Sequence, residues 1–125
     1  SRPGRAPSSP LGIGSKSYSY GSQVSGTIQS ITERLWVSTG ALKNDKATVQ
    51  ITHTDGKGKV KVNICRMKYD PKGKPTAGGL TTETIEGSKT FTLTGAKGEM
   101  VSVELVGKEA SHSFSYKLLV KDGAN

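Results

Sequence analysis

An all-β antiparallel sandwich or jelly roll of about seven or eight strands is the fold class that this 125-residue sequence predicts. Three observations predict it. Apolar and polar residues alternate in short runs along most of the chain, with no convincing helical periodicity. The runs are separated by glycine, proline, asparagine and aspartate at fairly regular spacing. Hydrophobic content is only 32%, which suits short strands that are buried on one face alone.

The elements follow in chain order. Residues 1–22, SRPGRAPSSPLGIGSKSYSYGS, are rich in proline, glycine and serine and cannot offset their ordering entropy with a core of their own. They form a basic arm carrying Arg2, Arg5 and Lys16, and Tyr18 and Tyr20 alternate with serines so that its end can dock as an edge strand. Two readings of the arm stay open: a flexible tail left after processing, or a segment that orders on a neighbouring subunit or partner. The sandwich domain is expected over 23–122, with 123–125 as a short tail.

Val24, Gly26 and Ile28 begin the strand pattern, and ERLWVST follows, with Leu35 and Val37 on one face and Arg34 and Trp36 on the other. A turn at Lys43, Asn44 and Asp45 leads into KATVQITHTDGKGKVKVNICRMKY (46–69). Taking Asp55-Gly56 as a type I′ turn makes this a hairpin that pairs Ile51 with Val60, Val49 with Val62 and Ala47 with Ile64. Its other face would carry Thr52 with Lys59, Gln50 with Lys61 and Thr48 with Asn63, one polar and cationic surface. The second strand changes phase, because Val60, Val62 and Ile64 share one parity while Cys65, Met67 and Tyr69 share the other. That implies a β-bulge near Ile64–Cys65, or a strand that leaves one sheet and is covered on both faces.

DPKGKPTAGG (70–79) is expected as the longest internal loop. LTTETIEG and SKTFTLT are strand signals separated by Gly87. A loop Ala96-Lys97-Gly98, with Gly98 left-handed, predicts a second hairpin pairing Leu93 with Val101 and Phe91 with Val103. FSYKLLV closes the domain with Phe114, Tyr116, Leu118 and Val120 on one face.

Charge points to the class of partner. The chain carries a net +8, and between residues 57 and 74 six lysines and Arg66 stand against Asp70 alone. Such a segment attracts an anionic polymer, an anionic surface or an acidic protein patch. The plainer alternative is that the lysines solubilise an exposed strand face and discourage edge pairing. Trp36, the sole tryptophan, is either an interface contact or an ordinary core residue.

Catalytic and cofactor chemistry finds little support. His53 and His112 lie in different connections and outside any ligand spacing, so His53 is expected as a structural residue at the sheet rim. Glu83 with Glu86, and Glu99 with Glu104, stand at ordinary surface spacing for carboxylates. The single cysteine, Cys65, excludes an internal disulfide framework and a zinc-binding cysteine cluster. The carboxylates are too sparse for a calcium loop, and GKGK and KGKPTAGG are turns that lack the order of a phosphate loop. No apolar run approaches the ~20 residues needed to span a bilayer. The start of the chain lacks the apolar core of a signal peptide, so any such signal is expected to have been removed or never to have existed.

From about Gly21 to Asp122 the layout resembles the bacterial pre-peptidase C-terminal domain, a small jelly-roll-like sandwich attached to secreted peptidases and other exported proteins. The resemblance rests on the GSQVSGTI opening before an aromatic-containing LWV strand, the strong central run, and the closing FSYKLLV, which is similar to that family's terminal Tyr-x-Leu-x-Val strand. Lys-Val-Asn-Ile replaces the family's usual Asp-Leu pair in the central strand, and the acidic cluster that binds calcium in some collagenase members is absent. A calcium or collagen role therefore does not carry over. The resemblance implies an exported accessory module without catalytic activity.

The sequence thus predicts a secreted, non-catalytic binding module, extracellular or on a virion or cell surface, with no cofactor and no metal. Lys57, Lys59, Lys61, Lys68, Lys72 and Lys74 would attract the anionic partner, with Trp36 and Tyr69 as contacts. The alternative is a structural subunit of a virion surface, filament or other assembly, with the arm ordering on a neighbour and edge strands pairing between copies.

Overall fold

The computed structural model describes residues 15–19, 23–29, 34–108 and 112–124, with side chains described for all of these except 15–19 and 34–36. Short alternating runs become strands because a period of two turns every second side chain to the same side. Nine result among the described residues: β1 (Ser15–Ser19), β2 (Val24–Ile28), β3 (Arg34–Ser38), β4 (Ala47–Asp55), β5 (Val60–Tyr69), β6 (Pro75–Ile85), β7 (Lys89–Leu93), β8 (Met100–Gly107) and β9 (Phe114–Asp122). Eight occupy the runs expected from the sequence, and the arm supplies the ninth. Sheet A has the order β1-β3-β8-β5-β6 and sheet B the order β2-β9-β4-β7. Every pairing is antiparallel except that of β1, which lies parallel to β3 with Ser15 opposite Arg34 and Ser19 opposite Ser38.

The two sheets close on one aliphatic layer. Val49 and Ile51 of β4 meet Val60, Val62 and Ile64 of β5, Val101, Val103 and Leu105 of β8, and Leu118 and Val120 of β9, all buried. This is the alternation of the sequence made physical, since the inward set is apolar on every central strand.

Both expected hairpins are corrected. β4 and β5 lie in different sheets, β4 between β9 and β7 and β5 between β8 and β6. Ala47 and Val49 pair with Leu93 and Phe91 of β7, and Val60 and Ile64 pair with Ile85 and Thr81 of β6. Asp55-Gly56 therefore begins an arch from one sheet to the other. Gly56, at φ 91°, packs so closely that a Cβ there would stand 2.2 Å from the Ser113 carbonyl oxygen, and Gly58 N–H donates to that carbonyl at 2.7 Å. The β7–β8 connection is likewise an arch, although Gly98 has the expected left-handed φ, at 83°. Of consecutive strands among the described residues, only β5 and β6 share a sheet.

The β5–β6 hairpin also shortens the expected 70–79 loop. Strand β6 begins at Pro75, leaving 70–74 as the turn. Asp70 organises it, its Oδ1 accepting from Lys72 N–H at 2.9 Å and Lys74 N–H at 2.8 Å. The phase change on β5 is no bulge in β5 itself, because its register with β8 runs unbroken from Val60 to Met67. Nor does the strand leave its sheet. The irregularity falls on β6, where Arg66 faces Gly79 and Met67 faces Ala77, so that Gly78 is the extra residue.

Gly78 makes room for an ion pair at this end of the core. Arg66 follows the inward parity of Val62 and Ile64, and its Nε donates to Glu99 Oε1 at 2.6 Å while Nη2 donates to the Thr94 carbonyl. Both side chains are largely buried, at 19% and 10% exposure. A Cβ on Gly78 would lie 2.6 Å from Glu99 Oε2 and 3.3 Å from Arg66 Cβ. The expectation of a solvated Glu99 and Glu104 fails: each residue is 7% exposed. Glu104 lies on the outer side of sheet A, where Asn63 Nδ2 donates to its Oε1 at 2.9 Å and Thr82 Oγ1 donates in turn to Asn63 Oδ1.

At the same end, Asp122 ties the close of β9 to the 43–44 turn. Its carboxylate accepts from Lys43 N–H at 2.9 Å, from Asn44 N–H at 3.0 Å and from the Asn44 side-chain amide at 3.0 Å. The Lys43 backbone hydrogen bond leads in holding its pKa below the ordinary 3.8, with the two Asn44 bonds and the Lys43 charge adding to it.

Glu99→Ala strands the Arg66 charge in the core and should cost about 3 kcal/mol in urea unfolding. Gly78→Ala presses on the same pair, so the double variant should fall short of the sum of the single losses by about 1 kcal/mol. For Asp122, a folded pKa below the unfolded one gives stability that is present above the unfolded value and is lost as pH falls through the folded one. Thermal melts of the wild type should therefore lose more between neutral pH and pH values below 3.8 than melts of Asp122→Asn.

Candidate binding surface

The structure divides the lysine-rich segment in two. Thr48, Gln50 and Thr52 belong to β4 in sheet B, whereas Lys61 and Asn63 belong to β5 in sheet A, so the expected single cationic face does not exist. Their outer faces lie on opposite sides of the sandwich. The lysines also separate along β5. Lys57 and Lys59 are exposed in the β4–β5 arch, and Lys61 is half-buried one residue into the strand. Lys68, Lys72 and Lys74 are exposed at the other end, at and beyond the close of β5. At ~3.3 Å per residue, Lys61 and Lys68 stand about 23 Å apart along the strand. That exceeds the ~8 Å over which charges act in physiological salt, so the two groups work independently.

The arch end is partly compensated. Lys59 Nζ lies 3.8 Å from Glu86 Oε2, both side chains well exposed, an arrangement that contributes little to stability but lowers the local field. Glu83, on the inward parity at the edge of sheet A, pairs at 3.5 Å with Lys89 of β7 and so bridges the two sheet edges. The two glutamates are thus each matched to a lysine and do not form a catalytic pair.

The hairpin end retains more of its charge. Two of the carboxylates at this end are occupied, Asp70 in the turn and Glu99 with Arg66, while exposed Asp45, beside Ala96, offsets part of the charge. Lys97 joins this end, because the 95–98 loop lies against Lys68, whose Cε would be 3.2 Å from a Cβ on Gly98. The loop is held there by Ala96 N–H donating to Asp45 O and Gly98 N–H donating to Leu42 O, each at 2.7 Å. Sequence reasoning missed Lys97, since it stands in what reads as plain turn chemistry, with Glu99 two residues on. Tyr69, 49% exposed, stands opposite Pro75 at the base of the hairpin. Trp36 occupies the register position opposite Glu104, and its side chain lies outside the described ones.

His53 has a structural setting. Its Nε2 is 2.7 Å from the Gly56 carbonyl, to which it donates, and its ring stacks on Phe114 with centroids 4.8 Å apart. His112 is exposed in the β8–β9 connection. Among the described residues, no three His, Cys, Asp or Glu side chains converge to hold a metal. No helix among them is long and apolar enough to cross a membrane. A shallow depression of about 270 Å³ on the outer face of sheet B is lined by Thr48, Gln50, Thr90, Thr92 and Ala124, which supply hydrogen-bonding groups but no acid or base.

No protein-family model matches the chain, and no curated protein matches it. Two solved structures share its fold. One is CorA, a surface-associated copper-binding protein important in copper acquisition by Methylomicrobium album BG8, with a TM-score of 0.58 at 7% identity over 86% of this chain and 98% of that one. The other is the pre-peptidase C-terminal domain of collagenase from Bacillus anthracis, with a TM-score of 0.51 at 10% identity over 86% and 94% of the two chains. The resemblance to the pre-peptidase C-terminal domain seen in the sequence is therefore a resemblance of fold: a two-sheet β-sandwich spanning nearly the whole of that domain.

Proposed function

We propose that this chain is an exported, non-catalytic binding module that contacts an anionic partner through the end of the sandwich bearing Lys68, Lys72, Lys74 and Lys97. The observation that carries this reading is the pairing of carboxylates at that end. Asp70 and Glu99 are both committed to internal contacts, while the four lysines are exposed. Exposed Asp45, held beside Ala96, offsets part of this charge, and the net cationic end that remains attracts anions from outside. Lys57, Lys59 and Lys61 at the arch end form a second, weaker site, because Glu86 partly offsets them. Tyr69, exposed beside the turn, is the aromatic contact expected at the hairpin end. The shared fold of a surface-associated protein and of a domain from a peptidase supports placement outside the cell or on a virion or cell surface.

A second reading, a structural subunit of a virion surface, filament or other assembly, draws on β1. Residues of the N-terminal arm complete an edge of sheet A by pairing with β3, and the same pairing between copies would link subunits. Light scattering of the full chain beside a chain beginning at Gly21 tests it. A monomer in both removes autonomous assembly.

For the leading reading, binding to heparin and to polyphosphate should fall steeply between about 0.01 M and about 1 M salt, as the Debye length shrinks from about 30 Å to about 3 Å. Lys72→Glu/Lys74→Glu/Lys97→Glu should weaken binding about tenfold or more, and Lys59→Glu/Lys61→Glu by less. Affinity unchanged by salt, or by both sets of reversals, would sink the proposal.

A further inference from the structure

The phase change on β5 turns the strand inside out at its far end. Beyond Ile64 the inward positions hold Arg66 and Lys68, while Cys65, Met67 and Tyr69 lie on the outer face of sheet A with the parity of Asn63. Register continues that apolar surface onto both neighbours. Cys65 faces Leu80 of β6, and Met67 faces Ala77 of β6 and Met100 of β8. Leu80 is 69% exposed and Tyr69 49%, the two large apolar residues most open to water among the described ones, and Cys65, Met67 and Met100 are only half-buried. The patch runs about 13 Å along the strands and about 10 Å across them. Lys72 and Lys74 stand exposed in the turn that caps it.

The surroundings select what covers this patch. A bare polyanion would meet the lysines but gain nothing from Leu80, Met67 or Met100. A second copy would bring a +8 chain against a +8 chain, lysine turn included. A bilayer would have to receive the outer edge of β6, whose backbone groups have no strand partner among the described residues, and an open sheet edge is not tolerated in hydrocarbon. A polypeptide satisfies all three conditions: apolar side chains for the patch, carboxylates for the turn, and hydrogen-bonding groups for the edge.

We propose that the outer face of sheet A at the β5–β6 hairpin end is a docking site for an acidic amphipathic polypeptide segment, its apolar residues on Tyr69, Met67 and Leu80 and its carboxylates at Lys72 and Lys74. This rests on the reading that the hairpin end meets an anionic partner, and adds that the partner is protein. The area is a small fraction of the ~800 Å² per partner of a standard interface, so the contact is a weak, single-segment one unless the edge of β6 extends it.

The test uses the full chain and its single thiol, which lies in the patch. A display library of random twelve-residue segments is sorted on the wild type, and recovered peptides are synthesised. The expected peptides combine Leu, Ile or Phe with Asp or Glu. They should slow maleimide modification of Cys65 about tenfold, and lose about tenfold in affinity on Leu80→Ser/Tyr69→Ser and on Lys72→Glu/Lys74→Glu. Peptides that are acidic only and indifferent to Leu80→Ser/Tyr69→Ser would overturn this proposal and leave the polyanion reading standing. Apolar peptides indifferent to salt and to the lysine reversals would overturn both at this end. Three further outcomes would also overturn it. They are Cys65 protection that rises with protein concentration alone, protection that vanishes on removing residues 1–14, and Leu80-dependent binding to phosphatidylcholine–phosphatidylglycerol vesicles without any patch-dependent peptide.

Discussion

A single layer of aliphatic side chains between two sheets is the constraint from which the other features follow. Each central strand has one apolar face, and that face is satisfied only by the opposite sheet. Val49, Ile51, Val60, Val62, Val101 and Val103 are all essentially inaccessible to water. With the inner positions so occupied, lysines, threonines and Asn63 are driven outward, and the ends of the sandwich become the places where charge can enter. Arg66 and Glu99 mark one such end, where inward parity meets the limit of the core and an ion pair takes over from valine and isoleucine.

Strands and buried positions were legible because they depend on period two alone. Pairing was not, and the reason is specific. Ile51 and Val60 face the same core whether their strands are joined by a hairpin or by an arch, so apolar alternation satisfies both. What decides between them is the fit of Gly56 and Gly58 against the Ser113 backbone, more than fifty residues along the chain. Burial of Glu99 and Glu104 was hidden for the same reason, since their partners Arg66 and Asn63 sit on another strand. Read singly, both look like surface carboxylates.

The candidate site was legible in composition and misplaced in space. Counting charge between Lys57 and Lys74 drew one candidate patch, but a ten-residue strand keeps its two ends apart, and the sandwich puts β4 and β5 on opposite sides. The change of parity at Cys65 was the more informative signal. It marks where β5 exchanges an apolar inner face for an apolar outer one without breaking register with β8. Lys97 entered only through the fold of the 95–98 loop against Lys68.

The solitary hairpin has a kinetic consequence. All other strand pairs join segments that are not neighbours in the chain, and such topologies fold in milliseconds to seconds because long loops must close before contacts form. A hairpin such as β5–β6, with Asp70 setting its turn, can form in about 1–10 μs. The strand pair with the shortest loop to close is therefore the piece that carries Tyr69, Leu80 and the lysine turn. The proposed recognition surface and the fastest-closing strand pair share the same twenty-odd residues, so a change made there to alter binding is expected to alter the folding rate as well.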